Sequence, residues 1–324
     1  MTGTHKIVVQ NKRIRYDFTI RRNLTIIRGD SATGKTTLID MIQEYYENGP
    51  ASGIQLHSDK ECTVLSGRNW ETELSVMKDS IVFIDEGNEF IFTDAFAAHI
   101  QDTDNYYVLI TREAIPSLPY SIEEIYGIRN SGKYGTLKQT YNEFFHLYRS
   151  KDYQTVVQPK TVITEDSNSG YQFFQALSDA AGFECKSAGG KSNIFAEVLN
   201  VIAAHPEFET LIIADGAAFG AEMEKLTHLL TAHQNITLYL PESFEWLILR
   251  SGVVDDSEIS KILLSPSEHI DSQKYFSWER FFTALLVDKT RNSYLKYTKK
   301  ILNAAYLNDK VKDKILKVME KIEF

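Results

Sequence analysis

The feature that constrains this chain most is a glycine-containing stretch near its beginning, residues 26–38, which reads IIRGDSATGKTTL. Apolar and β-branched residues at 24–27 predict a short strand before the glycines, and apolar residues at helical spacing over 36–46 predict a helix after them. A loop between a strand and a helix directs backbone N–H groups and the positive end of the helix dipole at an anion. The stretch therefore predicts a phosphate-binding loop within an α/β fold.

Nine consecutive residues of this loop are candidate nucleotide-binding residues: Gly29, Asp30, Ser31, Ala32, Thr33, Gly34, Lys35, Thr36 and Thr37. The Lys35 ammonium is expected to reach the β- and γ-phosphates, and it is also a candidate catalytic residue. The Thr36 hydroxyl is a candidate ligand of a phosphate-bound Mg²⁺. Gly29 and Gly34 permit backbone conformations that a side chain would block.

The stretch resembles the Walker A motif of P-loop NTPases, and the resemblance implies that an apolar strand ending in an acid follows later in the chain. Residues 80–86, SIVFIDE, match that second motif. By this likeness Asp85 belongs to the Mg²⁺ shell, and Glu86 is the catalytic group that polarises the attacking water. The resemblance thus implies ATP and Mg²⁺ as cofactors and hydrolysis rather than pure transfer, while the choice between ATP and GTP stays open.

A further predicted strand, residues 106–110, ends at Thr111 and Arg112, where many ATPases of the ABC and AAA types place a residue that senses the γ-phosphate. Arg112 is therefore a candidate catalytic sensor, the alternative being an ordinary surface arginine. A basic antiparallel start over 6–18, Walker A, Walker B and this strand together resemble a trimmed ABC-type ATPase. Residues 65–68, LSGR, are interpreted as a turn between a strand and a helix, so an ABC head-to-tail dimer is not assumed.

Residues 113–150 contain fewer sequence patterns that predict a structure or a function. Pro116 and Pro119 predict an extended loop, and residues 131–135, SGKYG, predict a second basic loop. Lys133 in that loop is interpreted either as a contact to phosphate or a partner, or as a plain surface residue. Residues 140–148 are interpreted as a helix.

The alternation of strands and helices restarts after Pro159. Strands are predicted over 161–164, 183–186, 210–214 and 236–240, and helices over 170–181, 194–204 and 221–233. This alternation indicates a parallel sheet covered by helices on both faces, with ligands outside the carboxyl ends of the strands. Glu165 and Asp215 each follow one of these strands, so we expect both at that edge.

Residues 161–240 resemble the Toprim fold of topoisomerases, primases and the OLD (overcoming lysogenisation defect) nucleases. The likeness rests on VITED at 162–166, GGKSN at 189–193 and IIADGAAFG at 212–220, with LPESFEWLI following at 240–248. In that family a glutamate after the first strand and a later Asp-x-Asp bind Mg²⁺ for phosphodiester chemistry. Here Ala217 stands at the second aspartate and Asp166 at the glycine that follows the glutamate. The implied Mg²⁺ ligands are therefore Glu165, Asp166 and Asp215.

Three interpretations of this second half stay open. It is an active nuclease with a rearranged metal site, an inactive Toprim-like module that serves as a platform, or an unrelated α/β domain. Lys191 of the GGKSN sequence is expected beside the acidic edge, where it would offset an anion, the alternative being a simple turn. The order of an ATPase followed by a Toprim-like domain also resembles that of OLD proteins.

The predicted fold class is α/β with three parts. A P-loop NTPase domain with its own sheet covers 1–150, a Toprim-like domain with a second parallel sheet covers 158–250, and a helical C-terminal region covers 251–324. In the last part, the aromatic residues of 275–287 are expected to pack in a core, and 311–322 is expected to form an amphipathic helix.

The distribution of charge limits the partners. Residues 1–28 carry seven Lys/Arg against one Asp, and residues 289–324 carry ten Lys/Arg against four acids, although the chain has a net charge of −9. The part between them is therefore strongly acidic, and nucleic acid would need a local basic patch or a metal bridge to bind.

The lengths of the apolar runs and the spacing of the cysteines indicate the cellular compartment. No apolar run reaches the roughly 18 residues of a membrane helix, so we expect a cytoplasmic protein without membrane contact. Cys62 and Cys185 lie far apart and outside metal-binding spacings, which predicts reduced, structural thiols.

The sequence favours a nucleoside-triphosphate hydrolase whose nucleotide state controls the Toprim-like module, in nucleic-acid processing or anti-phage defence. The alternative is a nucleotide-switched interaction protein whose inactive module recruits or restrains a separate effector protein or a second copy of the chain. A small-molecule kinase is the third interpretation, and the adjacent acids at Asp85 and Glu86 disfavour it.

Overall fold

A computed structural model describes residues 1–29, 33–131, 140–148 and 155–324. The chain divides into two compact units. The first unit comprises Met1–Arg149 and Ser265–Ser277, and the second comprises Ser150–Leu264 and Trp278–Phe324. The fold class is α/β, with a large mixed sheet in the first unit and a parallel sheet in the second.

In the part of the first unit that the structure describes, nine strands form the sheet: β1 (His5–Gln10), β2 (Ile14–Ile20), β3 (Leu24–Ile27), β4 (Gln55–His57), β5 (Glu61–Val64), β6 (Ser80–Ile84), β7 (Tyr106–Ile110), β8 (Ile125–Ser131) and β9 (Thr140–His146). Their spatial order is β4-β1-β2-β9-β8-β3-β7-β6-β5. Strands β8, β3, β7, β6 and β5 run parallel to one another, whereas β1 pairs antiparallel with both β2 and β4. The predicted antiparallel start of the chain is thereby confirmed.

The α-helices that accompany this sheet in the described residues are α1 (Lys35–Asn48), α2 (Trp70–Val76) and α3 (Asp94–Gln101). Every residue of β3, β6 and β7 is buried, which is typical of central parallel strands covered on both faces. Leu38 and Ile42 of α1 lie in the same buried cluster as residues of these strands. Residues 65–68 connect β5 to α2, so their interpretation as a turn between a strand and a helix is confirmed.

The prediction of a helix over 140–148 is wrong, because Thr140–His146 is strand β9. It pairs antiparallel with β8 and parallel with β2, and Phe144 stacks on Phe18 with ring centroids 4.1 Å apart. Aromatic residues favour such a half-buried pleated surface, and this pairing between distant segments outweighed the local pattern. The predicted basic loop at 131–135, with Lys133, lies outside the described residues apart from the strand residue Ser131.

The second unit contains a four-stranded sheet made of β10 (Thr161–Thr164), β11 (Glu184–Ser187), β12 (Thr210–Ile213) and β13 (Ile236–Tyr239). The order is β11-β10-β12-β13, and all three pairings are parallel, as predicted. Its α-helices are α4 (Ser169–Ala181), α5 (Ile194–Ala204), α6 (Met223–Ala232), α7 (Phe244–Arg250), α8 (Ser257–Leu264), α9 (Trp278–Thr290) and α10 (Asp309–Leu316). Phe173, Phe174 and Leu177 of α4 are buried, whereas Ala181 is exposed at the helix end.

The C-terminal region is less helical than predicted. The aromatic residues Phe276, Trp278, Phe281 and Phe282 are buried, which confirms the predicted core. The helix predicted over 311–322 is too long, because α10 ends at Leu316 and Lys321 has a φ of 61°. A helix cannot continue through a residue in the left-handed region. Met319 and Ile322 are nevertheless buried.

Cys62 and Cys185 are buried free thiols, in agreement with the sequence. Burial raises the pKa of both thiols, that of Cys62 to about 11 and that of Cys185 to about 12. Across the described ranges, none of the helices combines the length and the hydropathy that crossing a membrane requires.

Among the glycines of the second unit, Gly216 is the one whose added Cβ would lie nearest to other atoms. A Cβ there would lie 2.8 Å from the backbone oxygen of Leu240 and 2.9 Å from that of Pro241. We therefore expect Gly216→Ala to lower the free energy of unfolding by about 2 kcal/mol, because backbone atoms would have to move. Denaturant unfolding monitored by circular dichroism measures this change. Gly87→Ala is the control, since its Cβ would meet no atom within 4 Å, and equal losses in the two variants would contradict the packing argument.

Candidate functional site

The predicted phosphate loop lies between a buried strand and the start of a helix. Strand β3 ends at Ile27, and α1 begins at Lys35 with Gly34 as its N-cap residue. Gly34 has a φ of 94°, and a Cβ at this position would lie 2.8 Å from the Tyr16 hydroxyl. Both the backbone conformation and the lack of space therefore require glycine here. The candidate residues Asp30, Ser31 and Ala32 lie outside the described residues.

The Lys35 side chain bridges Gly29 and Thr33, which lie on either side of the residues that the structure does not describe. Its ammonium donates hydrogen bonds to the Gly29 carbonyl oxygen at 2.7 Å and to the Thr33 hydroxyl at 3.3 Å, and the residue is buried. Thr36 is exposed at the first turn of α1, and the Thr37 hydroxyl hydrogen-bonds Tyr16. The Lys35 ammonium thus lies between Gly29 and Thr33 at the N-terminus of a helix, where backbone N–H groups and a cation together attract phosphate.

Two residues that the sequence did not single out support the loop from the side. The Tyr16 hydroxyl donates to the Gly34 carbonyl oxygen at 2.7 Å, and the Asn142 side chain hydrogen-bonds Tyr16. Tyr16 of β2 and Asn142 of β9 are directly paired neighbours in the sheet. Burial raises the pKa of Tyr16 to about 12, so its hydroxyl keeps its proton and remains a donor at neutral pH.

The predicted acid pair and the predicted sensor meet at the same edge of the sheet. Strand β7 lies between β3 and β6 and is parallel to both, so the residues that follow the three strands leave from one edge. Asp85 follows β6, and its Oδ1 accepts the Glu86 N–H at 2.8 Å. Thr111 follows β7, and its hydroxyl donates to the Glu113 carbonyl oxygen at 3.0 Å.

Glu86 and Arg112 form an ion pair with two hydrogen bonds. The Arg112 Nε donates to Glu86 Oε2 at 3.0 Å, and Nη2 donates to Oε1 at 2.8 Å. The Arg112 side chain is 58% exposed and the Glu86 side chain 32% exposed. A pair this accessible to water contributes about 0–1 kcal/mol, so a phosphate group could take the place of Glu86 on Arg112 at little cost.

The residues proposed to hold a nucleotide-bound Mg²⁺ are Thr36 and Asp85. A hydroxyl and a carboxylate are hard oxygen donors, and Mg²⁺ bound to phosphates needs only one or two protein ligands. Within the ranges that the structure covers, no cluster of three or more His, Cys, Asp and Glu side chains is arranged to hold a metal ion. That finding leaves a site with two protein ligands compatible with the structure.

A second acidic site lies at the carboxyl edge of the sheet in the second unit. Glu165 follows β10 and Asp215 follows β12, and the Asp215 N–H donates to Glu165 Oε2 at 3.0 Å. The predicted meeting of these two residues is thereby confirmed. They line a cleft of about 40 Å³ together with Glu245, Tyr297 and Lys299.

Among the described residues that line the cleft, the acids Glu165, Asp166, Asp215 and Glu245 outnumber the lysines, which are represented by Lys299. Burial raises the pKa of Glu165 to about 7. Burial also raises the pKa of Asp215, and the charges of Glu279, Glu165 and Glu245 raise it further. Burial alone would lower the pKa of Lys299, but the nearby carboxylates of Glu279, Glu245 and Asp215 outweigh it and raise this pKa. Lys299 forms an ion pair with Glu279.

Other polar groups fix this cleft. The Tyr297 hydroxyl donates to Glu245 Oε1 at 2.8 Å and also hydrogen-bonds Ser169. The Lys191 ammonium donates to the Ala218 carbonyl oxygen at 3.0 Å, so the GGKSN loop contacts the loop that follows Asp215. Glu245, Glu279, Tyr297 and Lys299 were not among the residues proposed from the sequence.

Asp166 differs from the other two acids of the proposed metal set. Its Oδ1 accepts the Asn168 N–H at 3.0 Å, and its Oδ2 accepts the Asn168 side-chain amide. Both carboxylate oxygens are therefore engaged in the turn before α4. The structure brings Glu165 and Asp215 together, and Asp166 lines the same cleft while its two oxygens accept these hydrogen bonds from Asn168.

We expect removal of the Tyr16 hydroxyl to weaken nucleotide binding. Tyr16→Phe leaves the Gly34 carbonyl oxygen without this donor and loosens the turn before Lys35, for an expected cost of about 1 kcal/mol, or roughly fivefold in affinity. Titration with a fluorescent nucleotide analogue measures the loss. Tyr107→Phe is a matched control, because that buried hydroxyl bonds Thr103 at 2.8 Å, a residue that precedes β7 and so lies at the opposite end of that strand from Arg112. Unchanged affinity in Tyr16→Phe would contradict the supporting role.

The acidic cleft predicts that the second unit loses stability as the pH rises. Because folding raises the pKa of Glu165 from 4.5 to about 7, its stabilising contribution is complete below pH 4.5 and is lost as the pH rises through 7. Asp215 acts in the same direction. At pH 8 the free energy of unfolding of Glu165→Gln/Asp215→Asn should therefore exceed that of the wild type by on the order of 3 kcal/mol, and the variant should unfold at a higher temperature. At pH 4.5 the two proteins should differ little.

Thermal unfolding between pH 4.5 and pH 8 measures this difference. The exposed pair Asp179→Asn/Glu207→Gln makes the same change in formal charge within the second unit and serves as the control. A difference between variant and wild type that does not grow with pH would show that the two carboxylates are not destabilised by burial.

Comparison with models of known protein families gave no match to this chain, and comparison with curated proteins gave none either.

Proposed function

We propose that the first unit binds a nucleoside triphosphate with Mg²⁺, ATP being the expected nucleotide, and hydrolyses it. The observation that carries the proposal is the convergence of three features at one sheet edge: the loop around Lys35, the acids after β6 and Arg112 after β7. Each feature has a role in phosphoryl transfer, and the parallel order of the strands accounts for their proximity.

In this proposal Lys35 exchanges its bonds to Gly29 and Thr33 for phosphate oxygens. The exchange replaces neutral acceptors by charged ones in a buried site, which strengthens the hydrogen bonds. The backbone N–H groups at the start of α1 orient the phosphates further. The hydroxyl of Thr36 and the carboxylate of Asp85 would hold Mg²⁺, which when bound neutralises charge on the phosphate oxygens.

The hydrolytic step needs Glu86 as a proton acceptor from water. In the structure both Glu86 oxygens accept hydrogen bonds from Arg112. A γ-phosphate at the end of the loop would compete for the guanidinium, because bidentate arginine–phosphate pairs are strong. Arg112 would then stabilise the charge that develops on the transferred group, and Glu86 would be free to orient the attacking water.

Separate variants distinguish nucleotide binding from hydrolysis. Lys35→Ala should abolish detectable binding, because it removes the charge at the phosphates. Glu86→Gln should retain binding and lose about 100-fold or more in the rate of phosphate release, because the amide cannot accept the proton from water. The measurements are calorimetric titration with an ATP analogue and a continuous phosphate-release assay on the full chain.

The matched control is Glu89→Gln, since Glu89 is an exposed acid three residues after Glu86. Hydrolysis by Glu86→Gln at the wild-type rate would remove Glu86 from the mechanism. A phosphorylated second product in place of free phosphate would favour the small-molecule kinase instead.

For the second unit we propose a module whose state the nucleotide controls, acting in nucleic-acid processing or anti-phage defence. The supporting observation is the cleft in which Glu165, Asp215 and Glu245 lie among buried groups, with Lys299 as the lining cation. Such an excess of carboxylates is costly unless it has protons or a cation as partners. Such a group of carboxylates at a strand edge suits a site that handles phosphodiesters through a bound cation.

A non-catalytic role is the second candidate for this unit, and a specific observation favours it. Asp166 is engaged by Asn168, and a buried alanine, Ala217, stands where a second aspartate would complete the likeness. The unit would then recruit or restrain an effector protein or a second copy of the chain.

Cleavage of DNA and RNA with Mg²⁺ or Mn²⁺ separates these two roles. If the second unit is a nuclease, Glu165→Gln/Asp215→Asn should lose cleavage and keep phosphate release. If the double variant and the wild type both release phosphate and neither cleaves, the interaction role is correct.

A further inference from the structure

The segment between α9 and the 3-10 helix Ala304–Leu307 has an unusual composition. Residues 291–303 read RNSYLKYTKKILN, with four Lys/Arg and no acid. The segment lies entirely within the described residues and contains neither helix nor strand. It is therefore a basic surface segment in the second unit, in a chain whose net charge is −9.

Hydrogen bonds hold this segment in one conformation. The Asn303 side-chain amide donates to the carbonyl oxygens of Tyr294 at 2.8 Å and Lys296 at 3.1 Å, and the Tyr306 hydroxyl donates to that of Leu295 at 2.6 Å. At the other end, the Gln172 side chain of α4 donates to the Lys300 carbonyl oxygen at 2.8 Å. The surface that the segment presents is thus built in advance of any ligand.

The side chains of the segment divide between the cleft and the solvent. Tyr297 and Lys299 line the acidic cleft beside Glu165 and Asp215. Tyr294 and Ile301 are instead 73% and 71% exposed, which is unusual for apolar side chains on a rigid segment. Lys296 and Lys300 are exposed next to them in sequence. The segment therefore forms the wall of the cleft on one side and a basic lip with an aromatic ring on the other.

We propose that this lip, defined as the exposed side chains of Tyr294, Lys296, Lys300 and Ile301, binds a single-stranded nucleic acid. The inference deepens the proposed function of the second unit, on which it rests for the choice of ligand, by naming the substrate class. Phosphates would pair with Lys296 and Lys300, and an unstacked base would lie on Tyr294. A strand held in this way passes beside the cleft that Tyr297 and Lys299 line.

The chemistry of the lip favours this ligand over other polyanions. A single strand offers both charges and flat apolar faces, which match the two exposed lysines and the exposed tyrosine of the lip. A duplex keeps its bases stacked and would leave Tyr294 without a partner. Two apolar side chains also provide little area for insertion into a lipid surface, which peripheral helices achieve with a whole apolar face.

The test measures binding of a fluorescent 12-nucleotide oligothymidine, a length of roughly one binding site, to the full chain by anisotropy. Nucleotide is omitted and EDTA is present, so neither hydrolysis nor cleavage contributes. Tyr294→Ala should weaken binding about fivefold or more, and Tyr294→Phe should retain it, because the phenyl ring still stacks. Lys296→Gln/Lys300→Gln should make the negative slope of log K against log salt shallower by about 1.4, because two phosphate contacts are lost.

Lys310→Gln/Lys314→Gln on α10 is the matched control, because it removes two exposed charges outside the segment. Equal losses in the two lysine double variants would reduce the effect to net charge and overturn the proposal. Absence of binding to the oligonucleotide, or preferred binding to a duplex, to phosphatidylserine vesicles or to an acidic peptide, would overturn it as well.

The binding test and the cleavage test can fail separately, so their outcomes distinguish the lip from the catalytic proposal for the cleft. Glu165→Gln/Asp215→Asn removes acidic groups beside the lip, so it should bind the oligonucleotide at least as tightly as the wild type. If this variant and the wild type both bind but neither form cleaves, the lip is correct and the nuclease is not. If the wild type cleaves but the Tyr294 and Lys296/Lys300 variants bind normally, the lip is wrong and the nuclease stands.

Discussion

The parallel pairing of buried strands is the constraint on which both candidate sites depend. In a parallel sheet the carboxyl ends of neighbouring strands leave from one edge, so the residues that follow them meet without further design. In the first unit this rule brings together the loop after β3, the acids after β6 and Arg112 after β7. In the second it places Glu165 after β10 beside Asp215 after β12, with a hydrogen bond between the Asp215 N–H and the Glu165 carboxylate.

The two sites treat charge in opposite ways. In the first unit the Glu86–Arg112 pair is partly exposed, so water screens it and little free energy is lost when it separates. In the second unit several acids are buried around Lys299, and the pKa of Glu165 rises to about 7. The first arrangement suits a pair that opens when a phosphate arrives. The second stores unfavourable electrostatic energy until protons, a cation or a structural change relieves it.

Residues that belong to short local motifs could be predicted from the sequence. The sequences before Lys35, before Asp85 and before Glu165 each combine an apolar run with a polar end, and the structure contains a strand at each of the three apolar runs. Position along a strand also sufficed to place Glu165 near Asp215, because the alternation of strands and helices indicated a parallel sheet.

Residues whose role depends on distant pairing could not be predicted. Asn142 supports the loop only because β9 pairs with β2. The local pattern of 140–148 predicts a helix instead, so it gives no sign of this pairing. Lys299 and Glu279 reach the cleft from segments far along the chain, and their local sequence gives no sign of it. Local periodicity carries no information on such contacts, which the register of the sheet and the path of the chain determine.

The most direct test of the central claim is equilibrium titration of the full chain with a Mg²⁺-bound, non-hydrolysable ATP analogue, compared with the corresponding diphosphate. If the loop around Lys35 binds phosphates and Arg112 leaves Glu86 for the γ-phosphate, one molecule of the triphosphate analogue binds per chain, and more tightly than the diphosphate. If neither nucleotide binds at millimolar concentration, the loop is not a nucleotide site. If the two bind equally, Arg112 does not sense the γ-phosphate.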